Sequence, residues 1–194
     1  MLINKENLDQ KGIKTALFLD NRANRRHHLQ VQALEEAGLN PRVIVFKDFP
    51  PHNYLIQKGH GNKIIYLSKT REEGFRKFSL NLVGELVKIF KRENIRVVLT
   101  QRWRILKYLL LVKLFYPKLK IIYYIVNKGR FLKLKGKIGL KILAPLVDLI
   151  LVNSLAMKDY ISKLITFGKP RLDLLYSAVD PSEFEINLSK REIR

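Results

Sequence analysis

The sequence predicts a three-layer α/β domain built on a mostly parallel sheet of six to seven strands. Short apolar runs alternate with stretches of helical periodicity along the whole of its 194 residues. Most of these runs are continuously apolar rather than alternating, the mark of strands buried on both faces. Parallel strands joined by right-handed helical crossovers satisfy that order. The length suits one domain with its own core. With 47% hydrophobic and 28% charged residues, the chain has the balance of a folded globular protein.

Residues 13–20 (IKTALFLD) read as the first strand. In 24–37, Leu29, Ala33 and Ala37 recur at spacing four beside Leu34, and Gly38 follows, which gives an amphipathic helix with a glycine stop. RVIVF (42–46) is a second strand, 50–62 a loop bounded by Pro and Gly, and KIIYLS (63–68) a third strand. Phe75, Phe78, Leu82, Leu86 and Phe90 place one long helix over 71–93, closed by Asn94. IRVVLT (95–100) is a fourth strand, 103–116 a helix ended by Pro117, and LKIIYYIV (119–126) a fifth strand. A basic segment leads to DLILVNS (148–154), a helix over 156–167 stopped by Gly168, and RLDLLYSA (171–178). The expected organisation is an N-terminal extension (1–12), a Rossmann-like domain (13–180) and a tail (181–194) that begins an interdomain linker. There is no internal repeat.

Composition excludes several chemistries. With no cysteine there is no disulfide framework, Cys-ligated metal or thiol nucleophile. The four histidines, His27, His28, His52 and His60, form no recognised ligand spacing, so no metal is expected. The turn after the first strand, LDNRANRRHH, has no glycine, against the G-x-G-x-x-G that brings a backbone close to a dinucleotide. No P-loop and no G-x-S-x-G elbow occurs. No cofactor is expected. The start, MLINKENLDQ, has no signal-peptide h-region, and the apolar stretch 108–126 carries Lys113, Pro117, Lys118 and Lys120. The expected location is the cytoplasm, with peripheral attachment to the inner face of the membrane.

Thirty-seven Lys and Arg against seventeen Asp and Glu give a net charge of +20, which calls for an anionic partner. Thirteen Lys and Arg, and no acid, lie between Glu93 and Asp148. Within that block Arg130, Lys133, Lys137 and Lys141 share a helical face beside Phe131, Leu134, Ile138 and Ile142, a pattern suited to an anionic membrane surface. Gly136 and Gly139 weaken that helix, and a solvated basic face would look the same. Nucleic acid would answer to the same charge, but no reader motif accompanies it; Trp103 and Tyr108 sit at helical spacing that suits core packing.

Ligands of open parallel sheets bind beyond the carboxyl ends of the strands. The strand ends bring Asp20, Asn21, Arg22, Asn24, Arg25 and Arg26 after the first strand, and Thr100, Gln101 and Arg102 after the fourth. They bring Asn127, Lys128 and Arg130 after the fifth and Asn153 and Ser154 after the sixth. Amides and guanidinium groups in this number suit hydroxyls and phosphates, as on a sugar or glycolipid. Each Asn or Ser there also reads as a helix cap. His27 or His28 is a candidate general base and Asp20 a candidate for orienting a hydroxyl, each with packing or capping as the plainer role; the catalytic residues stay unassigned.

Residues 149–185 (LILVNSLAMKDYISKLITFGKPRLDLLYSAVDPSEFE) resemble a block of retaining GT-B glycosyltransferases of the family 4 type, in which a strand leads into an N-G-V-D-x-x-x-F turn. Here the turn is Ser177-Ala178-Val179-Asp180 followed by Phe184, with Ser-Ala replacing Asn-Gly. QALEEAGLNPRVIVF (32–46) is similar to that family's first helix and second strand. The resemblance implies that the chain is the N-terminal, acceptor-binding half of a nucleotide-sugar-dependent enzyme, whether a fragment, a truncated gene product or a subunit of a split enzyme. It implies a sugar or glycolipid acceptor at Asn21, Arg22, Asn24, Arg25, Gln101, Arg102, Asn127, Lys128, Asn153 and Ser154. It implies a partner domain or subunit with an E-x7-E motif that holds the donor, without which transfer does not occur. The family's His at the end of strand five is Asn127 here. A basic nucleic-acid-binding protein and a non-catalytic scaffold are the alternatives.

Overall fold

The computed structural model describes residues 14–20, 23–76, 78–127, 129–165, 168 and 170–176. The expected extension (1–12), the V-D-P turn and the tail lie outside them. Seven strands, β1 (Lys14–Phe18), β2 (Asn40–Val45), β3 (Ile64–Tyr66), β4 (Ile95–Thr100), β5 (Lys120–Ile125), β6 (Leu149–Val152) and β7 (Arg171–Leu174), form one sheet in the order β3-β2-β1-β4-β5-β6-β7. Every pairing is parallel. The fold is the α/β, Rossmann-like architecture expected from the alternation.

Alternate residues of β1 feed two cores. Leu17 and Leu19 pack with Val31 of α1 (Arg25–Glu36) and Leu55 of α2 (Tyr54–Gln57) on one face. Ala16 and Phe18 pack on the other with α4 (Leu80–Arg92), α5 (Trp103–Phe115), α7 (Leu134–Leu143) and α8 (Leu155–Leu164). This is the both-faces burial that continuous apolar runs require.

Three segments differ from the sequence expectation. The loop at 50–62 contains α2, capped by Asn53, whose Oδ1 accepts the N–H groups of Leu55 and Ile56, and a 3-10 turn at Gly61–Lys63. The long helix is two: α3 (Arg71–Arg76) and α4, with Ser79 as the N-cap of the second. The break is held by Tyr108, whose hydroxyl donates to the Gly74 carbonyl (2.6 Å) and accepts the Ser79 N–H (3.1 Å). One buried phenol thus satisfies backbone groups on both sides of the interruption. Asn94, at φ 52°, closes α4. The basic helix is also two pieces, α6 (Gly129–Leu132) and α7, with Lys133 at the N-cap. Its glycines do not leave it unformed. A Cβ at Gly139 would lie 2.8 Å from the Trp103 ring, so glycine there lets α7 dock on the core.

Charge pairing gathers at the amino edge of the sheet. Glu93 meets Lys14 (3.0 Å) and Arg42 (3.5 Å). Asp148 meets Lys113 (2.5 Å), Lys120 (3.1 Å) and the Ile121 N–H (2.9 Å). Burial pushes the Asp148 carboxyl up, but Lys113, the Ile121 N–H and Lys120 outweigh it and hold the group below its ordinary value. Asp148→Ala is expected to lower unfolding free energy by about 2 kcal/mol, the worth of charge-assisted bonds at a half-buried site. Urea melts at pH 7 check this, and a change under about 0.5 kcal/mol would reduce the cluster to an ordinary surface pair.

Candidate functional site

The strand order reverses between β1 and β4, and a cleft of about 780 Å³ opens there at the carboxyl edge. Thr100, fully buried, ties the two strand ends together: its hydroxyl donates to the Phe18 carbonyl and accepts the Arg102 N–H, each at 3.2 Å. Arg102 then reaches back to Asp20 in a fork, Nε to Oδ2 at 2.7 Å and Nη2 to Oδ1 at 3.2 Å. Asp20 is 5% exposed, so its carboxylate is a fixed acceptor in the wall rather than a loose surface charge.

His27 stands beside it, 8% exposed. Its Nδ1 accepts the backbone N–H of Asn24 (3.2 Å) at the start of α1. Burial, then the adjacent Arg26, pull its pKa down to about 4, against the Asp20 charge, which raises it. The imidazole is therefore neutral at pH 7, and with Nδ1 occupied as an acceptor the proton sits on Nε2. His27 faces the cleft as a hydrogen-bond donor, which is the opposite of a general base. His28 turns away; its Nδ1 lies 2.8 Å from Nε2 of His60, and it packs edge-on against Tyr54.

The floor is aromatic. Trp103 lies 6.1 Å from Tyr123 and 6.0 Å from Phe131, centroid to centroid. Gln101 lines the wall, and its Nε2 is buried with no hydrogen-bond partner. Asn127 lines the opposite side, its Oδ1 accepting the Gly129 N–H (2.7 Å).

Of the residues anticipated at the strand ends, Asp20, Asn24, Arg26, Gln101, Arg102 and Asn127 line this cleft. Arg25 is in α1 and is not part of the lining. Asn153 donates to the Val126 carbonyl (3.1 Å), and Ser154 caps α8 by accepting the Met157 N–H (3.2 Å), so both are engaged in local structure. Asn21, Arg22 and Lys128 lie outside the described residues. Four further residues line it where strand ends alone did not point: Arg71 and Phe75 from α3, Arg104 from α5 and Phe131 from α6. Among the described residues, no group of three His, Asp or Glu could hold a metal ion.

A second surface belongs to α7. Gly139 and Leu140 face the core, and Leu134, Ile138 and Ile142, at 71%, 48% and 65% exposure, form a row pointing away from it. At ~3.6 residues per turn, Lys137 and Lys141 flank that row on one side and Lys135 on the other. Lys133, at the N-cap, is exposed, and Arg130 lies in α6. Among the described residues no helix is long and apolar enough to cross a membrane.

No family model matches the sequence, and no curated protein does. Among solved structures, the N-terminal domain of Candida albicans trehalose-6-phosphate phosphatase is similar, with a TM-score of 0.59 and 12% identity over 93% of this chain. The match takes in 52% of that chain, so the present sequence spans about half its length. At that identity the likeness carries the architecture alone: the chain has a Rossmann-like, parallel α/β fold.

Proposed function

We propose that this domain is the acceptor-binding, membrane-facing half of a glycosyltransferase acting on a lipid-linked or lipopolysaccharide-type acceptor. A second domain or subunit would hold the nucleotide-sugar. The observation that carries the reading is the cleft at the strand-order reversal, where amides, guanidinium groups and an aromatic floor meet. A sugar offers apolar ring faces for such a floor and hydroxyls for Gln101, Asn127 and the Asp20 carboxylate. His27 adds a neutral donor, so the wall presents both donors and a fixed acceptor. The resemblance of residues 149–185 to the GT-B block supports the same assignment, and the lysine-flanked apolar row of α7 supports a membrane-facing placement.

Calorimetry on the chain alone tests this. UDP-, GDP- and ADP-sugars are expected to show no tight site, because the donor contacts belong to the partner half. An oligosaccharide or glycolipid headgroup is expected to bind weakly, and Gln101→Ala with Asn127→Ala to reduce that binding about tenfold, the worth of one to two lost hydrogen bonds. Micromolar nucleotide-sugar binding, or sugar transfer without a partner, would overturn the reading.

A further inference from the structure

We infer that Arg26, Arg71 and Arg104 form an anion subsite in the cleft and that the ligand held there carries a phosphoryl group. The inference rests on the acceptor reading for the sugar but not for the anion.

The three guanidinium groups come from three elements, α1, α3 and α5, yet line one cleft. Arg102 is there too, but its charge is answered by Asp20 at 2.7 Å. Arg26, Arg71 and Arg104 have no carboxylate within ion-pair distance among the described residues. At the amino edge of the sheet cations are paired: Glu93 holds Lys14, Arg42 and Arg92, and Asp148 holds Lys113 and Lys120. Among the described residues Asp20 is the single acid in the cleft lining.

Folding does not explain this placement. Arg26 and Arg104 sit in the first turns of α1 and α5, where the helix dipole disfavours a cation. Neither helix has an acid in its first turn. Arg71 and Arg104 are both set over the ring of Phe75, their guanidinium carbons 5.8 and 5.4 Å from its centroid. An aromatic face orients a guanidinium without neutralising it. One ring therefore holds two like charges beside a cleft and leaves their N–H groups free for oxygen.

Two further donors lie in the same wall. His27 is more than nine-tenths buried, and its Nε2–H has no partner among the described residues. The buried Nε2 of Gln101 has none either. A cluster of forked and single donors with one engaged acid matches a dianionic group with several acceptor oxygens, namely a phosphate monoester or diphosphate. A neutral sugar would use the hydroxyl partners but would leave the three guanidinium charges unanswered.

The phosphate could belong to a soluble sugar phosphate or to a lipid-linked headgroup, and the probes separate them. Glucose 6-phosphate, glucose, farnesyl phosphate and farnesol are titrated into the full chain by calorimetry, with the His27 ring nitrogens followed by NMR. At least one phosphorylated probe is expected to bind tenfold or more tightly than its unphosphorylated counterpart, to weaken with salt and to shift the His27 signals. Tighter binding of glucose 6-phosphate assigns a sugar phosphate, and tighter binding of farnesyl phosphate a lipid headgroup. Arg71→Ala with Arg104→Ala is expected to remove the phosphate preference. Lys88→Ala with Arg92→Ala on α4, which deletes the same charge elsewhere, is expected to keep it.

Equal affinity for phosphorylated and unphosphorylated probes, or equal losses in the two double variants, would overturn the subsite. The acceptor reading fails separately: phosphate binding without any oligosaccharide binding keeps the subsite and rejects the acceptor. Oligosaccharide binding lost in Gln101→Ala but indifferent to phosphate does the reverse.

Discussion

Changing Lys133, Lys137 and Lys141 together to Glu is expected to abolish sedimentation of the protein with anionic vesicles. Each lysine near an anionic leaflet contributes about 1 kcal/mol, so deleting three costs about 3 kcal/mol, roughly a hundredfold in affinity. Reversing their sign adds repulsion to that loss. The wild-type protein is expected to ignore zwitterionic vesicles and to release from anionic ones as salt rises, since exposed charges are screened beyond about 8 Å at 0.15 M. A second variant separates the two parts of the surface. Leu134→Ser, Ile138→Ser and Ile142→Ser keep every lysine but remove side chains that are 71%, 48% and 65% exposed and thus have little packing to lose. Burying each in the headgroup boundary is worth up to about 1.5–3 kcal/mol, so this variant should bind only at low salt. Unchanged sedimentation of the lysine variant would make the stripe a solvated face. Tight binding of duplex DNA or RNA at physiological salt, with no vesicle binding, would favour the nucleic-acid alternative.

The sheet was legible because its strands are continuous apolar runs: IRVVLT and LKIIYYIV have few other uses than a strand covered on both faces. The break between α3 and α4 was hidden, because Phe75, Phe78 and Leu82 carry the helical period straight across it. Its cause is Tyr108, about thirty residues further on, whose hydroxyl spans the gap. A local pattern has no access to such a contact, although Ser79 three residues before Leu82 was a cap signal in plain view. The cleft shows the same division. Gln101, Arg102 and Asn127 follow from strand ends alone. Arg71 and Phe75 do not, since they come after β3, the edge strand farthest from the cleft on its side of the sheet. The chain must cross β2 and β1 to reach β4, and α3 lies on that crossing, which carries its side chains to the cleft mouth. Asn153 and Ser154 sit at a strand end as read, yet a backbone carbonyl and a helix N-terminus engage them.

Between pH 7 and pH 4 the domain is expected to lose about 3 kcal/mol of stability through His27 alone, at about 1.36 kcal/mol per pKa unit. Its folded-state pKa is about 4, lowered first by burial and then by Arg26 and, more weakly, Arg102, with Asp20 opposing. In the unfolded chain the group returns to about 6.5. Above that pH both states hold a neutral imidazole, and His27 contributes nothing to the pH dependence. As pH falls from about 6.5 to about 4, the unfolded chain takes up a proton that the folded one refuses, so stability drops and then levels off. Asp148 and Glu93, both held below their ordinary values of 3.8 and 4.5, begin to lose their contributions as pH falls through those values, so they add at the acid end of the histidine window and continue below it. The His60 pKa is also lowered, by burial against the pull of Glu35, so His60 adds its own acid-side loss and a control is needed. His27→Asn supplies it. The Asn carboxamide oxygen can take the place of Nδ1 as acceptor for the Asn24 N–H but carries no proton at any of these pH values. Urea midpoints measured from pH 7 to pH 4 should fall steeply in the wild type and only shallowly in the variant, with His60 and, toward pH 4, Glu93 and Asp148 accounting for the remainder. In the NMR spectrum at pH 7 the proton should reside on Nε2 of His27. Parallel pH curves for the two proteins, or a His27 ring that titrates near 6.5, would mean that the imidazole is solvated and charged in mild acid, and its role as a neutral donor in the cleft would fall with it.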